Sequence, residues 1–181
     1  MTNAFYVGLA GAMLLALFAA GCPTAPPLPK QAGPDPFLLE RDLAGATVAR
    51  GEFSTITGVR RGFTAKLDGA QEGEVFVLRE DFVYDDGEKD SKTWRLTKSA
   101  DGAYSGTRED VVGQASGVQV GRVFRLSYLV RLPGKNGKPG RKVRFQDVMA
   151  KAPDGTVLND ARVSLFGFRV GAVKLKISRA S

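Results

Sequence analysis

From Val48 onward apolar and polar side chains alternate along run after run of the chain, and the runs are cut at short intervals by turn dipeptides. Phe124, Leu126, Tyr128, Val130 and Leu132 are apolar, whereas Arg125, Ser127, Leu129 and Arg131 between them are mostly polar; Val173, Leu175 and Ile177 alternate with Lys174 and Lys176 in the same way. A period of two places successive side chains on opposite faces of an extended chain, so each run predicts a strand with one apolar face. Asp68-Gly69, Asp86-Gly87, Asp101-Gly102, Asp154-Gly155 and the glycine-rich stretch Gly134 to Gly140 supply the positive backbone angles that tight hairpins demand. Further strands are read at Val48 to Thr57, Gly62 to Leu67, Glu74 to Tyr84, Thr93 to Lys98, Tyr104 to Val111, Ala115 to Val120, Lys142 to Lys151 and Thr156 to Leu165. After Pro36 no helical period lasts three turns, and only Phe37 to Leu43 suits one short helix. Eight to ten consecutive strands with short turns form an antiparallel up-and-down meander, which loses its exposed edges by closing into a β-barrel. The expected fold is therefore all-β, one closed barrel over residues 38–181.

The front of the chain has another character. Ala4 to Gly21 carries no charge and ends in Ala19, Ala20 and Gly21, followed by Cys22, the only cysteine. An apolar run closed by small residues is the form of a secretory signal peptide, here residues 1–21. A cysteine directly after the small residues resembles the lipobox of bacterial lipoproteins, in which the thiol takes a diacylglycerol before cleavage. Acyl chains on Cys22 would be the only attached group, since no other cofactor is expected. Two or three chains hold a protein firmly on a bilayer where one does so only marginally. Met1, Thr2 and Asn3 bring no Lys or Arg, and the competing reading is a retained membrane helix. Residues 22–37 are proline-rich and predict a semi-rigid extended spacer. The expected address is the bacterial cell envelope, facing the periplasm, with the outer membrane favoured because Pro23 rather than Asp follows the cysteine.

His is absent and the net charge of +7 lies wholly after residue 29. Without His, and with its one Cys at the lipobox, the domain has no His-dependent triad, no thiol nucleophile and no usual zinc ligands, so neither an enzyme nor a metal site is expected. Lys135, Lys138, Arg141, Lys142 and Arg144 cluster about one long hairpin. A tethered cationic surface of this kind suits an anionic leaflet better than nucleic acid, whose single-strand readers interleave aromatic platforms with the charge; the alternative is a merely solubilising face. The barrel is expected to be a monomer.

EDFVYDDG from Glu80 to Gly87, TWRL from Thr93 to Leu96, YSGTREDVVGQASG from Tyr104 to Gly117 and FGFRVGAVKL from Phe166 to Leu175 together resemble the DUF3833 family of bacterial lipoproteins, across roughly Leu38 to Ser178. The resemblance implies a lipocalin-type barrel and no assigned activity. Asp147-Val148-Met149 and Leu165 depart from the family's usual Asp-Trp-Met and Lys at those places, so no role resting on that Trp or Lys carries over.

Three polar residues share parity with apolar ones: Glu80 with Phe76, Leu78, Phe82 and Tyr84; Asp147 with Phe145 and Met149; Asn159 with Val157 and Ala161. If they face inward, the carboxylates need partners, because an unpaired buried charge costs several kcal/mol. Arg95 or Arg108 could neutralise them, or a bulge near Glu80 and Asp81 could turn them outward. The alternative is a polar ligand site in an apolar cup. A glycosidase-like carboxylate pair and a calcium loop at Asp81, Asp85, Asp86 and Asp90 fit less well, for want of a sugar platform and of EF-hand spacing. The function expected is to bind an apolar or amphipathic small molecule or lipid inside the barrel; the second reading is a structural envelope protein with a filled barrel. Phe53, Phe63, Phe76, Phe82, Trp94, Phe124, Phe145 and Phe168 decide between them, because all eight turned inward would leave little room.

Overall fold

The computed structural model of the chain describes residues 26–134 and 139–180. The alternating runs become ten strands: β1 (Gly45–Thr55), β2 (Arg60–Glu72), β3 (Val75–Tyr84), β4 (Lys89–Lys98), β5 (Ala103–Thr107), β6 (Ala115–Val120), β7 (Val123–Pro133), β8 (Pro139–Lys151), β9 (Val157–Leu165) and β10 (Phe168–Arg179). Each pairs antiparallel with its sequence neighbour, and β10 returns to β1 through Thr47 opposite Arg179 to Thr55 opposite Gly171. The sheet is thus a closed barrel without a free edge, the solution a long meander predicts. One helical turn, α1 (Leu39–Asp42), precedes β1.

Three of the Asp-Gly pairs turn as expected, with Gly87, Gly102 and Gly155 at φ of 84°, 83° and 82°. Asp68-Gly69 does not. It lies inside β2, which runs on to Glu72 and turns at Gly73. Gly69 is there for space: a Cβ would collide with the Leu43 carbonyl and come within 2.8 Å of the Phe76 ring. The strand expected over Tyr104 to Val111 also ends early, at Thr107. Beyond it the chain swings across to β7, where Asp110 O accepts from Arg131 N at 2.9 Å and Val112 N donates to Leu129 O at 2.8 Å.

Because successive strands reverse, the β2–β3, β4–β5, β6–β7 and β8–β9 turns gather at one end, and the five other connections at the opposite end. The first end is closed. Phe37, Leu39 and Leu43 are buried there under α1, with Phe37 6.4 Å from Phe124 and Phe124 edge-on to Tyr104 at 5.0 Å. Polar contacts fasten the cap: Tyr104 Oη donates to Glu40 at 2.7 Å, Lys151 pairs with Asp42 at 3.4 Å, and Arg179 reaches the Ala44 carbonyl.

The proline-rich stretch, expected to stand clear of the barrel, packs on it from Leu28 onward. Leu28 and Ala32 cover Val123, Val148 and Ala150, an apolar patch on the outward faces of β7 and β8. Gly33 N donates to Lys151 O at 2.7 Å and Phe37 N to Arg122 O at 3.1 Å. Extended polyproline-type backbone makes no internal hydrogen bonds, so its amides are available to the wall. Cys22 and the apolar run before it lie outside the described residues, as do Lys135 and Lys138. Among the described residues no helix is long and apolar enough to cross a membrane.

Candidate functional site: a charged layer inside the barrel

The strand register sets the depth of each inward side chain. Phe76, Leu96, Tyr104 and Phe124 fill the closed end, while Phe53, Phe63, Phe82, Tyr84, Phe145 and Leu165 line the other. Between these two apolar layers lies a polar one. Glu80 sits on β3 between Leu78 and Phe82, and its neighbour across the strand pair is Lys92 on β4. Asp147 on β8 faces Leu126 of β7 and Ala161 of β9, and Asn159 faces Met149. No bulge reverses β3, so Glu80 points inward and Asp81 outward, where it accepts from Ser91 Oγ at 2.6 Å.

Arg108 supplies the counter-charge. Its guanidinium donates to Asp110 Oδ1 at 2.8 Å and reaches Glu80 Oε2 at 3.5 Å. It also lies 4.7 Å from the Trp94 ring centre and 5.4 Å from that of Tyr128, an arrangement in which the ring quadrupoles add attraction. Lys92 pairs with Asp90 at 2.9 Å and approaches Asp110 at 3.8 Å. Arg95, the other cation expected to serve, is excluded by parity: Trp94 and Leu96 face in, so Arg95 faces out and pairs with Glu72 at 3.7 Å. Tyr128 is the partner that no sequence pattern named. Its hydroxyl donates to Asp147 Oδ2 at 3.1 Å, while its ring stacks on Phe145 at 5.3 Å and meets Trp94 edge-on at 4.9 Å.

Burial in this layer disfavours charge. Desolvation pushes the Glu80 carboxyl up to about 7 against the pull of Arg108, with Asp147 adding to the rise. Desolvation likewise raises Asp147 to about 7, opposed by Tyr128, Arg108 and Asn159. Near neutrality each carboxyl can therefore hold or release a proton. Two acceptors remain unused, for neither Asp147 Oδ1 nor Asn159 Oδ1 has a hydrogen-bond partner within the protein. Both residues are buried, at 4% and 7% exposure, and orphaned acceptors at such depth are rare.

Seven of the eight aromatic residues expected inward do face the interior. Phe168 does not, being 77% exposed beside the β9–β10 turn. An open cleft of about 430 Å³ lies outside the barrel, between residues 27–31 and the wall at Arg50, Leu158 and Lys174, on the far side of the sheet from the carboxylates. The acidic run weighed as a calcium loop is committed elsewhere: Asp86 holds Arg61 at 2.9 Å and Asp90 holds Lys92. Among the described residues no three Cys, Asp or Glu converge to hold a metal ion. Of the basic hairpin, Arg141 and Lys142 are exposed, and Arg144 donates to Ser127 Oγ at 3.3 Å.

Comparison with solved structures places the barrel among lipocalin-like folds. An S-type phycobiliprotein lyase from Guillardia theta superposes with a TM-score of 0.57 at 11% identity, covering 77% of this chain and 89% of that one. A chain designated EF1p2_mFAP2b, solved bound to DFHBI, gives 0.39 at 9% identity, covering 77% and 95%. No curated protein matches the sequence. The match to a family profile is more extensive: it runs over residues 16–179, and the chain belongs to that family, described as protein of unknown function (DUF3833).

Proposed function

We propose that this protein is a membrane-tethered lipoprotein, acylated on Cys22, whose barrel binds a small amphipathic ligand. The observation that carries the reading is the pair of unused acceptors, Asp147 Oδ1 and Asn159 Oδ1, in a buried layer beside Glu80. Asn159 Oδ1 selects a ligand that brings a donor, and Asp147, which near neutrality can hold or release a proton, can meet a donor or an acceptor, so the polar end is best a hydroxyl or an amide. Half-buried Phe53, Phe82, Phe145 and Leu165 between that layer and the rim would hold the apolar part. The closed half of the barrel is filled by its own side chains, which favours a ligand held near the mouth over one engulfed. Support for the tether is the lipobox-like stretch ending at Cys22, which falls inside the matched family region.

Two measurements test this. Solvent extraction of the full-length protein purified from membranes, followed by mass spectrometry, should yield one amphiphile near equimolar amount, lost in Asp147→Leu; an extract equal to that of Asp147→Leu refutes ligand binding. Cys22→Ser should move the protein out of the membrane fraction and remove the acyl mass, and retention with no acyl mass on the wild type would favour a kept helix.

A further inference from the structure

The open end of the barrel carries apolar side chains where a soluble rim would carry polar ones. Three hairpins stand side by side there, β7–β8, β9–β10 and β1–β2 in barrel order, and the described residues of each include at least one large apolar side chain in solvent. Phe166 and Phe168 are 88% and 77% exposed, Ile56 and Val59 69% and 60%, and Leu132 is 40% exposed. The tips are linked, since Ile56 N donates to Val170 O at 3.0 Å. Isolated exposed apolar residues need no explanation, but a contiguous group marks an interaction surface.

Phe166 adds a backbone argument. Its φ is 51°, alone among described non-glycine residues in being positive. Together with Gly167 at 85° it makes a tight turn whose first position suits Asn, Asp or Gly. A bulky residue there is disfavoured by sterics, and here it is disfavoured by hydration as well. Neither the fold nor solubility accounts for a phenylalanine at this place.

Charge identifies what the surface meets. Residues 53–62 and 161–172, and residues 129–134 and 139–144 on the strands of β7–β8, contain no Asp or Glu, and Arg131, Arg141, Lys142 and Arg169 are among them. The acids of the rim lie at one edge of this group, on the neighbouring β3–β4 tip, which bears Asp85, Asp86, Glu88 and Asp90; there Asp86 and Glu88 hold Arg61, while Glu52 on β1 holds Arg60. Apolar tips flanked by cations on the β7–β8 and β9–β10 side, with the anions confined to the β3–β4 edge, match an anionic bilayer in both respects. We infer that the barrel docks mouth-down on an anionic membrane, inserting the β9–β10 and β1–β2 tips with β7–β8 beside them, tilted so that the β3–β4 side stays in water.

The surface is argued from the rim alone and stands whether or not Cys22 is acylated. The test uses full-length protein on vesicles of 30% phosphatidylglycerol and 70% phosphatidylethanolamine, with brominated chains as quencher. In Phe166→Trp the added indole should shift to the blue and lose at least about half its emission. In Glu74→Trp, at the β2–β3 turn of the closed end, the added indole should lose little; Trp94, buried and common to both, is the internal reference. Replacing phosphatidylglycerol by phosphatidylcholine should weaken quenching at position 166 at least about threefold. Equal quenching at the two positions, or none at 166 while the protein floats with the vesicles, overturns the inference. So does lipid-free self-association that Phe166→Glu abolishes, since a second copy would then own the surface. Intact mass of the same sample reports acylation separately, so failure of the tether and failure of docking are told apart.

Discussion

The two ends of this barrel are built from one alternating pattern and come out opposite. At the closed end Phe37 is fully buried, Phe124 likewise, and α1 seals the ring of strands. At the open end Phe166 and Phe168 stand in solvent, and of the inward aromatics Phe63 is buried while Phe53, Phe82, Tyr84 and Phe145 are only partly covered. The difference lies in the chain available to cover each rim. The residues before β1 pass over one rim and bring their own apolar side chains to it, whereas the other rim has short hairpins and one longer connection, residues 108–114, which crosses to β7 and covers that side alone. One end supplies stability, and the other is where the molecule can interact.

The contrast can be broken by substitution, starting with the largest effect. Phe37→Ala should cost about 3–5 kcal/mol of unfolding free energy, read by denaturant titration, while Phe168→Ala should change it by less than about 0.5 kcal/mol; similar losses would mean that both rims support the fold. Next is Arg108→Ala, which leaves Glu80 buried without its cation, a class of change costing about 3 kcal/mol or more when the charge stays. Because Glu80 titrates near 7, that loss should be larger at pH 8.5 than at pH 5.5, where the carboxyl is neutral.

The same layer gives the wild type a pH dependence whose sign is fixed. Glu80 and Asp147 rise from ordinary values of 4.5 and 3.8 to about 7 on folding, so between those limits the folded state binds more protons than the unfolded one. Their contribution to stability is present below pH 4 and lost as pH climbs through about 7. Thermal melts of the Glu80→Gln, Asp147→Asn double variant should show a flatter profile from pH 5 to 8 than the wild type, and a parallel profile would place the carboxyls in water. The smallest effect concerns the rim. Phe166→Asn relieves the backbone and should raise stability by a few tenths of a kcal/mol, up to about 1, and an observed loss would mean that Phe166 packs in the fold after all.

Much of the interior was legible from parity. Glu80, Asp147 and Asn159 share the inward face with their apolar neighbours, and the same rule read along β4 excludes Arg95. Parity stops at a single strand, however. That Tyr128 meets Asp147 and that Arg108 spans Glu80 and Asp110 depends on register between strands and on the chain after Thr107 swinging across to β7. Gly69 misleads for a related reason: beside an aspartate it reads as a turn, yet its bareness answers Leu43, distant in sequence.

What the sequence determined alone was the strand content, the closure of the sheet and the inward face of each long strand, because a two-residue repeat is a local property and buried edges are costly in any arrangement. What the tertiary structure decided was depth and coverage: which rim is sealed, which acceptors lack donors, that Leu28 to Phe37 lie on the wall, and that Phe168 turns outward. Those depend on contacts between residues far apart in the chain, and no local pattern encodes which surfaces water can still reach once the barrel has closed.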